Sequence, residues 1–149
     1  MKKVGVVGEI YLKFNPFAHK HVLDWLMERG VEVVPPMLTD FFTQFFVNRK
    51  TKKNYMTDND FIPNWIFDKI YFYLKKIVHL FDIAGSKFRY YIPFNDIFEE
   101  AEEGEKIINM NAQFGEGWLL PAEIATYYKQ GIHNVISLQP FGCIANHII

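Results

Sequence analysis

An α/β fold built on a small parallel sheet is what this sequence predicts, and three observations predict it. Val4–Val7, a short apolar run without alternation, and a second strand, Val31–Val34, flank a helical stretch, and a third strand, Ile132–Leu138, follows another. Unalternating strands of this kind are buried on both faces, as in parallel sheets covered by helices. Between the second and third runs the apolar spacing becomes helical and very aromatic, which points to a helical insertion within the α/β frame, at about residues 37–83.

Taken in order, Val4–Val7 is the first strand, with Ile10-Tyr11-Leu12 either extending it or opening a loop. Asn15-Pro16 then reads as a helix start, a capping side chain followed by proline at the first helical position. The helix is expected to reach Arg29, with Gly30 closing it and Val22, Trp25 and Leu26 turned to the sheet. Val31–Val34 is the second strand, stopped by Pro35-Pro36, so the first 36 residues form a β-α-β unit. Leu38, Phe41, Phe42, Phe45 and Phe46 lie on one helical stripe. A polar, locally basic linker is expected over Asn48–Asp60, followed by a long helix from Phe61 to Phe81 and a loop over Asp82–Tyr91. Pro93 opens a third helical stretch that faces Ile97, Ala101 and Ile108 inward and that Gly104 weakens. A glycine-bearing loop, Met110–Trp118, leads to a helix from about Pro121 to Gly131 and then to the third strand.

With 149 residues, the chain is expected to be a single α/β domain. A formal charge of −1 gives no electrostatic reason to expect nucleic acid or an acidic membrane as partner. The one cysteine precludes an internal disulfide and fits a reducing, cytoplasmic setting. The most apolar run is interrupted by Asp68, Lys69, Lys75 and Lys76, so no membrane span is expected. The sheet is thin and the chain stops just past its most site-like turn, which suggests a piece of a longer protein.

That turn is Pro140-Phe141-Gly142-Cys143, at the carboxyl end of the third strand, where open α/β sheets place their chemistry. Cys143 could ligate a metal or act as a nucleophile, and the plainer reading is a small buried hydrophobe. His147, four residues on, could join it or simply be solvated. Gly115-Glu116-Gly117 offers amides near a helix start for a phosphate or carboxylate, although it is neither a Walker loop nor GxGxxG, and a structural turn is the plainer reading. Glu9 and Glu116 would converge as acid and base if both loops meet at the sheet edge, with Asn15 lining the same edge. The basic run Arg49, Lys50, Lys52, Lys53 reads as a solvated loop.

Three blocks together, GEIYLKFNPF at 8–17, FGEGWLLPAE at 114–123 and QPFGCIANHI at 139–148, resemble the C-terminal, dehydratase-component-like region of activators of 2-hydroxyglutaryl-CoA dehydratase, also called CoA-substrate-specific enzyme activases. The resemblance covers nearly the whole chain. It implies a three-layer Rossmann or flavodoxin-like fold with a sheet of three or four strands. It also implies a role in ATP-driven, low-potential electron transfer, and a [4Fe–4S] cluster in the complete protein with Cys143 as one ligand. Ala145 stands where the family often has proline, and Pro121 where a threonine is common. The family's other cysteines and its ATPase modules are absent, so this stretch alone is not expected to hold a cluster or to catalyse anything. The partners implied are the remaining domains of the parent protein and a dehydratase or another electron acceptor.

Two readings from other classes stand beside this one. In one, the aromatic hairpin docks onto the rest of the protein or onto a second copy, as a homodimer, and Cys143 is inert. In the other, Gly115–Trp118 holds the phosphate of a small ligand or a CoA tail.

Overall fold

The computed structural model describes residues 2–54, 62–89 and 91–148. Three strands, β1 (Lys2–Gly8), β2 (Val31–Val34) and β3 (Val135–Leu138), form a parallel sheet in the order β2-β1-β3. The N-terminal half of β1 pairs with β2, Lys2 opposite Val31, and its C-terminal half with β3, Gly8 opposite Leu138. The expected mixed α/β architecture is therefore present, with the predicted apolar residues Val6 and Val7 fully buried at its centre. Gly8 has φ 126°, and a Cβ there would collide with the carbonyl oxygen of Leu138. Only glycine lets β1 leave the sheet in that conformation while staying paired to β3.

The connection from β1 to β2 differs from the single helix expected over 15–29. It contains two helices, α1 (Ile10–Phe14) and α2 (Val22–Glu28). Glu9 starts the first, its Oε2 accepting from the Leu12 amide at 3.1 Å. Asn15 does cap, accepting from the Phe17 and Ala18 amides at 3.0 and 3.4 Å, but it caps a turn. Lys20 and His21 then adopt φ values of 52° and 55°, a left-handed geometry that interrupts any continuous helix. Leu26 is buried as expected, whereas Trp25 is 50% exposed and lies under the Arg29 guanidinium at 3.9 Å, not against the sheet. Gly30 closes the segment at φ 75°.

The helical insertion begins with α3 (Leu38–Asn54), which runs through the first part of the expected linker; residues 55–60 lie outside the described residues. The basic run is thus helical, and Arg49 is buried: its guanidinium lies 4.0 Å from the Phe67 ring and donates to the Ile62 carbonyl at 2.6 Å. The second helix, α4 (Asn64–Gly85), continues into the predicted loop, and Phe61 is outside the described residues. Aromatic rings join these helices, Phe45 to Phe67 at 5.7 Å and Phe46 to Tyr71 at 5.1 Å.

Asp96, not Pro93, opens α5 (Ile97–Glu105), accepting from the Phe98 amide at 2.9 Å. Gly104, expected to weaken this helix, instead permits close packing on α6 (Leu119–Lys129): a Cβ there would stand 2.8 Å from that of Ala122. The third strand begins at Val135, later than expected, with Ile132 buried ahead of it, and α7 (Ile144–Ile148) follows the Pro-Phe-Gly turn. Two apolar clusters result, Trp118 with Val47, Ile97 and Leu119 under the insertion, and Val7 with Val34, Leu120, Tyr127 and Ala145 against the sheet.

Candidate functional site

The carboxyl edge of the sheet brings the three sequence blocks together. The Glu9 amide donates to the Leu138 carbonyl at 2.9 Å, holding the first block beside the strand end from which the third departs. One turn of α1 later, Lys13 enters the interior, 3% exposed, and its Nζ lies 3.0 and 3.4 Å from the two carboxylate oxygens of Glu123. The same Nζ is 3.6 Å from Glu116 Oε1, an ion pair beyond hydrogen-bond distance. Leu120, from the second block, packs in the cluster that contains Ala145 of the third.

Two more acids, Asp40 on α3 and Glu100 on α5, are each 3% exposed and feel the same charges. Lys13 is the cation that acts on all four carboxylates. One ammonium cannot offset four buried acids, so burial prevails over pairing. It pushes Glu123 up to about 8 despite Lys13, and Asp40 to about 6 despite the Thr39 hydroxyl, the Met37 backbone bond and Lys13. Glu100 is raised well above the ordinary carboxylate range by burial and then by Asp40 and Glu123, and Glu116 is raised by burial and by Glu9, against Lys13.

Beside this cluster lies an open cleft of about 340 Å³ whose wall includes Asp40, Tyr71, Lys75, His79 and Asp96. Asp96 accepts from the Tyr71 hydroxyl at 2.8 Å and from Lys75 at 2.5 Å. Burial opposes the Asp96 charge, but these bonds outweigh it and hold the carboxyl below its usual range.

The residues singled out in the sequence have mixed fates. Glu9 and Glu116 do come close enough to interact, yet Glu9 is engaged as the α1 cap and Glu116 faces Lys13. Asn15 sits at the following turn. Gly115 has φ 60°, and the amides of Gly117 and Trp118 donate to Phe114 and Ala112 carbonyls within the loop at 3.1 and 2.8 Å. Those internal bonds occupy both amides within the loop itself. Cys143 is half-buried, packed against the cluster of Val7 and Tyr127 with its amide bonded to the Pro140 carbonyl at 3.2 Å. His147 is exposed, and its Nε2 lies 3.2 Å from the Phe141 carbonyl.

A [4Fe–4S] cluster does not fit this chain by itself. It would find one thiol, and among the described residues no three His, Cys, Asp or Glu side chains are arranged to hold a metal ion.

The sequence reading missed Lys13, Asp40, Glu100 and Glu123, the buried heart of the site. A signal was present for two of them. Glu100 stands three residues after Ile97 and one before Ala101, on the inward face of its own helix, and Asp40 neighbours Phe41 on an apolar stripe. Lys13 and Glu123 fall within the first two blocks, but nothing in the chain says that they meet.

Comparison with known protein families, curated proteins and solved structures finds no match. Among the described residues, no helix is long and apolar enough to cross a membrane.

Proposed function

We propose that this chain is the dehydratase-component-like domain of an activator-type iron–sulfur protein that moves low-potential electrons in the cytoplasm. The supporting observation is spatial: the first and second blocks meet through Lys13–Glu123, the second and third through Leu120 with Ala145, and the Glu9 amide holds the first beside Leu138, the strand residue that leads into the third. The half-buried Cys143 sits at that edge and would contribute one thiolate, the other ligands coming from outside this chain. The test is iron and acid-labile sulfide in the full-length protein purified anaerobically, wild type against Cys143→Ala. Loss of iron with an unchanged circular dichroism spectrum is expected, and unchanged iron would return Cys143 to a packing role.

A second reading, a docking module, is favoured by α4. No residue of this 22-residue helix is buried, and Ile70, Tyr73, Ile77 and Leu80 are 50, 63, 52 and 65% exposed. With Ile66 and Ala84 they repeat at alternating intervals of four and three, a heptad seam that selects another helix as its occupant. A second copy offers the same seam antiparallel, with Ile66 facing Ala84, Ile70 facing Leu80 and Tyr73 facing Ile77. Eight large apolar side chains of α4 are exposed. Five of them, Ile70, Tyr73, Ile77, Leu80 and Phe81, lie on or beside the seam, and at on the order of 100 Å² each they supply roughly 500 Å² of the ~800 Å² per partner that a standard interface uses. Light scattering should therefore give a dimer that Ile77→Glu reduces to a monomer. A wild type that is monomeric at about 100 μM would remove the second copy as occupant.

A further inference from the structure

The Asp40, Glu100 and Glu123 carboxylates come from three different helices, α3, α5 and α6, and converge around a cavity of about 20 Å³ also lined by Thr126. That volume accommodates about one water molecule. Among the described residues, Glu100 Oε2 and Thr126 Oγ1 both lie in the interior with no partner in full hydrogen-bond geometry, and the nearby Thr126 hydroxyl favours the Glu100 charge only slightly against the burial that opposes it. An ionised carboxylate oxygen left in that state is costly, because its lone pairs meet no donor. A protonated one becomes a donor, which the Thr126 oxygen or a cavity water can accept. The charge count leads the same way. Lys13, reaching in from α1, makes its ion pairs with Glu123 and Glu116 and not with Glu100 or Asp40. Among the described residues, no three His, Cys, Asp or Glu side chains are arranged to hold a metal ion.

We propose that the Asp40–Glu100–Glu123 cluster is a proton-binding site that fastens α3 to α5 and α6 while it is protonated. The groups that face it are Lys13 from α1, Glu116 from the loop before α6, and Thr126 and the Tyr127 hydroxyl from α6, the last donating to the Val34 carbonyl at 3.0 Å. Loss of the bound proton to solvent leaves like charges on three packed helices. Their repulsion loosens the start of α3, the element that carries Asp40 and forms one wall of the 340 Å³ cleft. The upward displacement of Asp40 and Glu123 by burial places the release between weakly acidic and weakly alkaline pH. This inference is independent of the iron–sulfur reading.

The test is amide hydrogen exchange of α3 in the whole chain between pH 5.5 and 8.5, corrected for the intrinsic pH dependence of exchange. Wild-type protection over Leu38–Phe46 is expected to fall at least tenfold across that range. Glu100→Gln, which keeps the shape without the charge, should hold the change below threefold. Three results would overturn the proposal. They are flat wild-type protection, a Glu100→Gln variant that loses protection as the wild type does, and wild-type protection restored at pH 8.5 by replacing tetramethylammonium chloride with potassium chloride. The last would make the occupant an alkali cation. The wild-type arms decide the matter even if the variant fails to fold.

Discussion

Lys13→Met should destabilise the chain by roughly 1–3 kcal/mol at pH 8, below the full cost of stranding a buried charge because Glu123, at about 8, is half protonated there and can take up a proton. Methionine fills the volume of the lysine stem, so the loss is electrostatic, not a cavity. Glu123 and Glu116 would then face the interior with no ammonium within 4 Å, where they now have one at 3.0 and 3.6 Å. The sign of the pH dependence follows from the direction of the shifts. Burial raises Glu123 from 4.5 to about 8 and Asp40 from 3.8 to about 6, so the folded chain binds protons more tightly than the unfolded one. Their contribution is complete below the unfolded values and is lost as pH rises through about 6 and about 8. At pH 5 Asp40 and Glu123 already carry protons for the most part, and removing the ammonium should cost less than at pH 8. Urea unfolding at the two pH values measures this. Adding Glu123→Gln to Lys13→Met should recover most of the loss at pH 8. A cost below about 1 kcal/mol at pH 8, or one independent of pH, would mean that the cluster is solvated and not an interior site.

Trp118→Ala is expected to cost about 3–5 kcal/mol, the range for removing a fully buried large aromatic. Trp118 is the largest of the fully buried side chains and packs with Val47, Ile97, Ala101, Met110 and Ala122. Its indole N–H donates to Asn48 Oδ1 at 2.6 Å, so it ties α3 to the entry of α6 by packing and by a polar bond together. Asn48→Ala separates the two contributions, since it keeps the ring and orphans its N–H at about 1–3 kcal/mol. Against a total stability of about 5–15 kcal/mol, the tryptophan variant should lose most of its cooperative unfolding transition. If Trp118→Ala costs no more than Asn48→Ala, the insertion is held elsewhere and the core around Trp118 is not what joins it to the frame.

The strands could be read directly because a short apolar run is a local signal, although only the end of β1 is buried on both faces, while β2 and β3 stay half-buried for most of their length. Val4–Val7, Val31–Val34 and the end of the third run sit in the sheet as expected, and Gly30 closes its segment where a left-handed residue was needed. Helix limits were less legible wherever competing local signals stood close together. Asn15-Pro16 is a valid start signal, yet the Glu9 cap upstream and the left-handed pair Lys20 and His21 downstream divide the segment into two short helices. The polar stretch after Asn48 looked like a linker because its charges were read as solvated. Stacking on Phe67 and a bond to the Ile62 carbonyl allow Arg49 to be buried in a helix.

The sequence by itself determined the fold class, because hydrophobic period is a local property that survives without coordinates. It also pointed to three blocks and to the edge where a site would lie. Only the tertiary structure decided the chemistry of that edge. Lys13 and Glu123 are 110 positions apart, and Asp40 and Glu100 arrive on two further helices. A charged residue on an apolar face can be read as an oddity in its own helix. What it pairs with, and whether one ammonium must serve four acids, depends on which faces the fold brings together and on how little water remains between them.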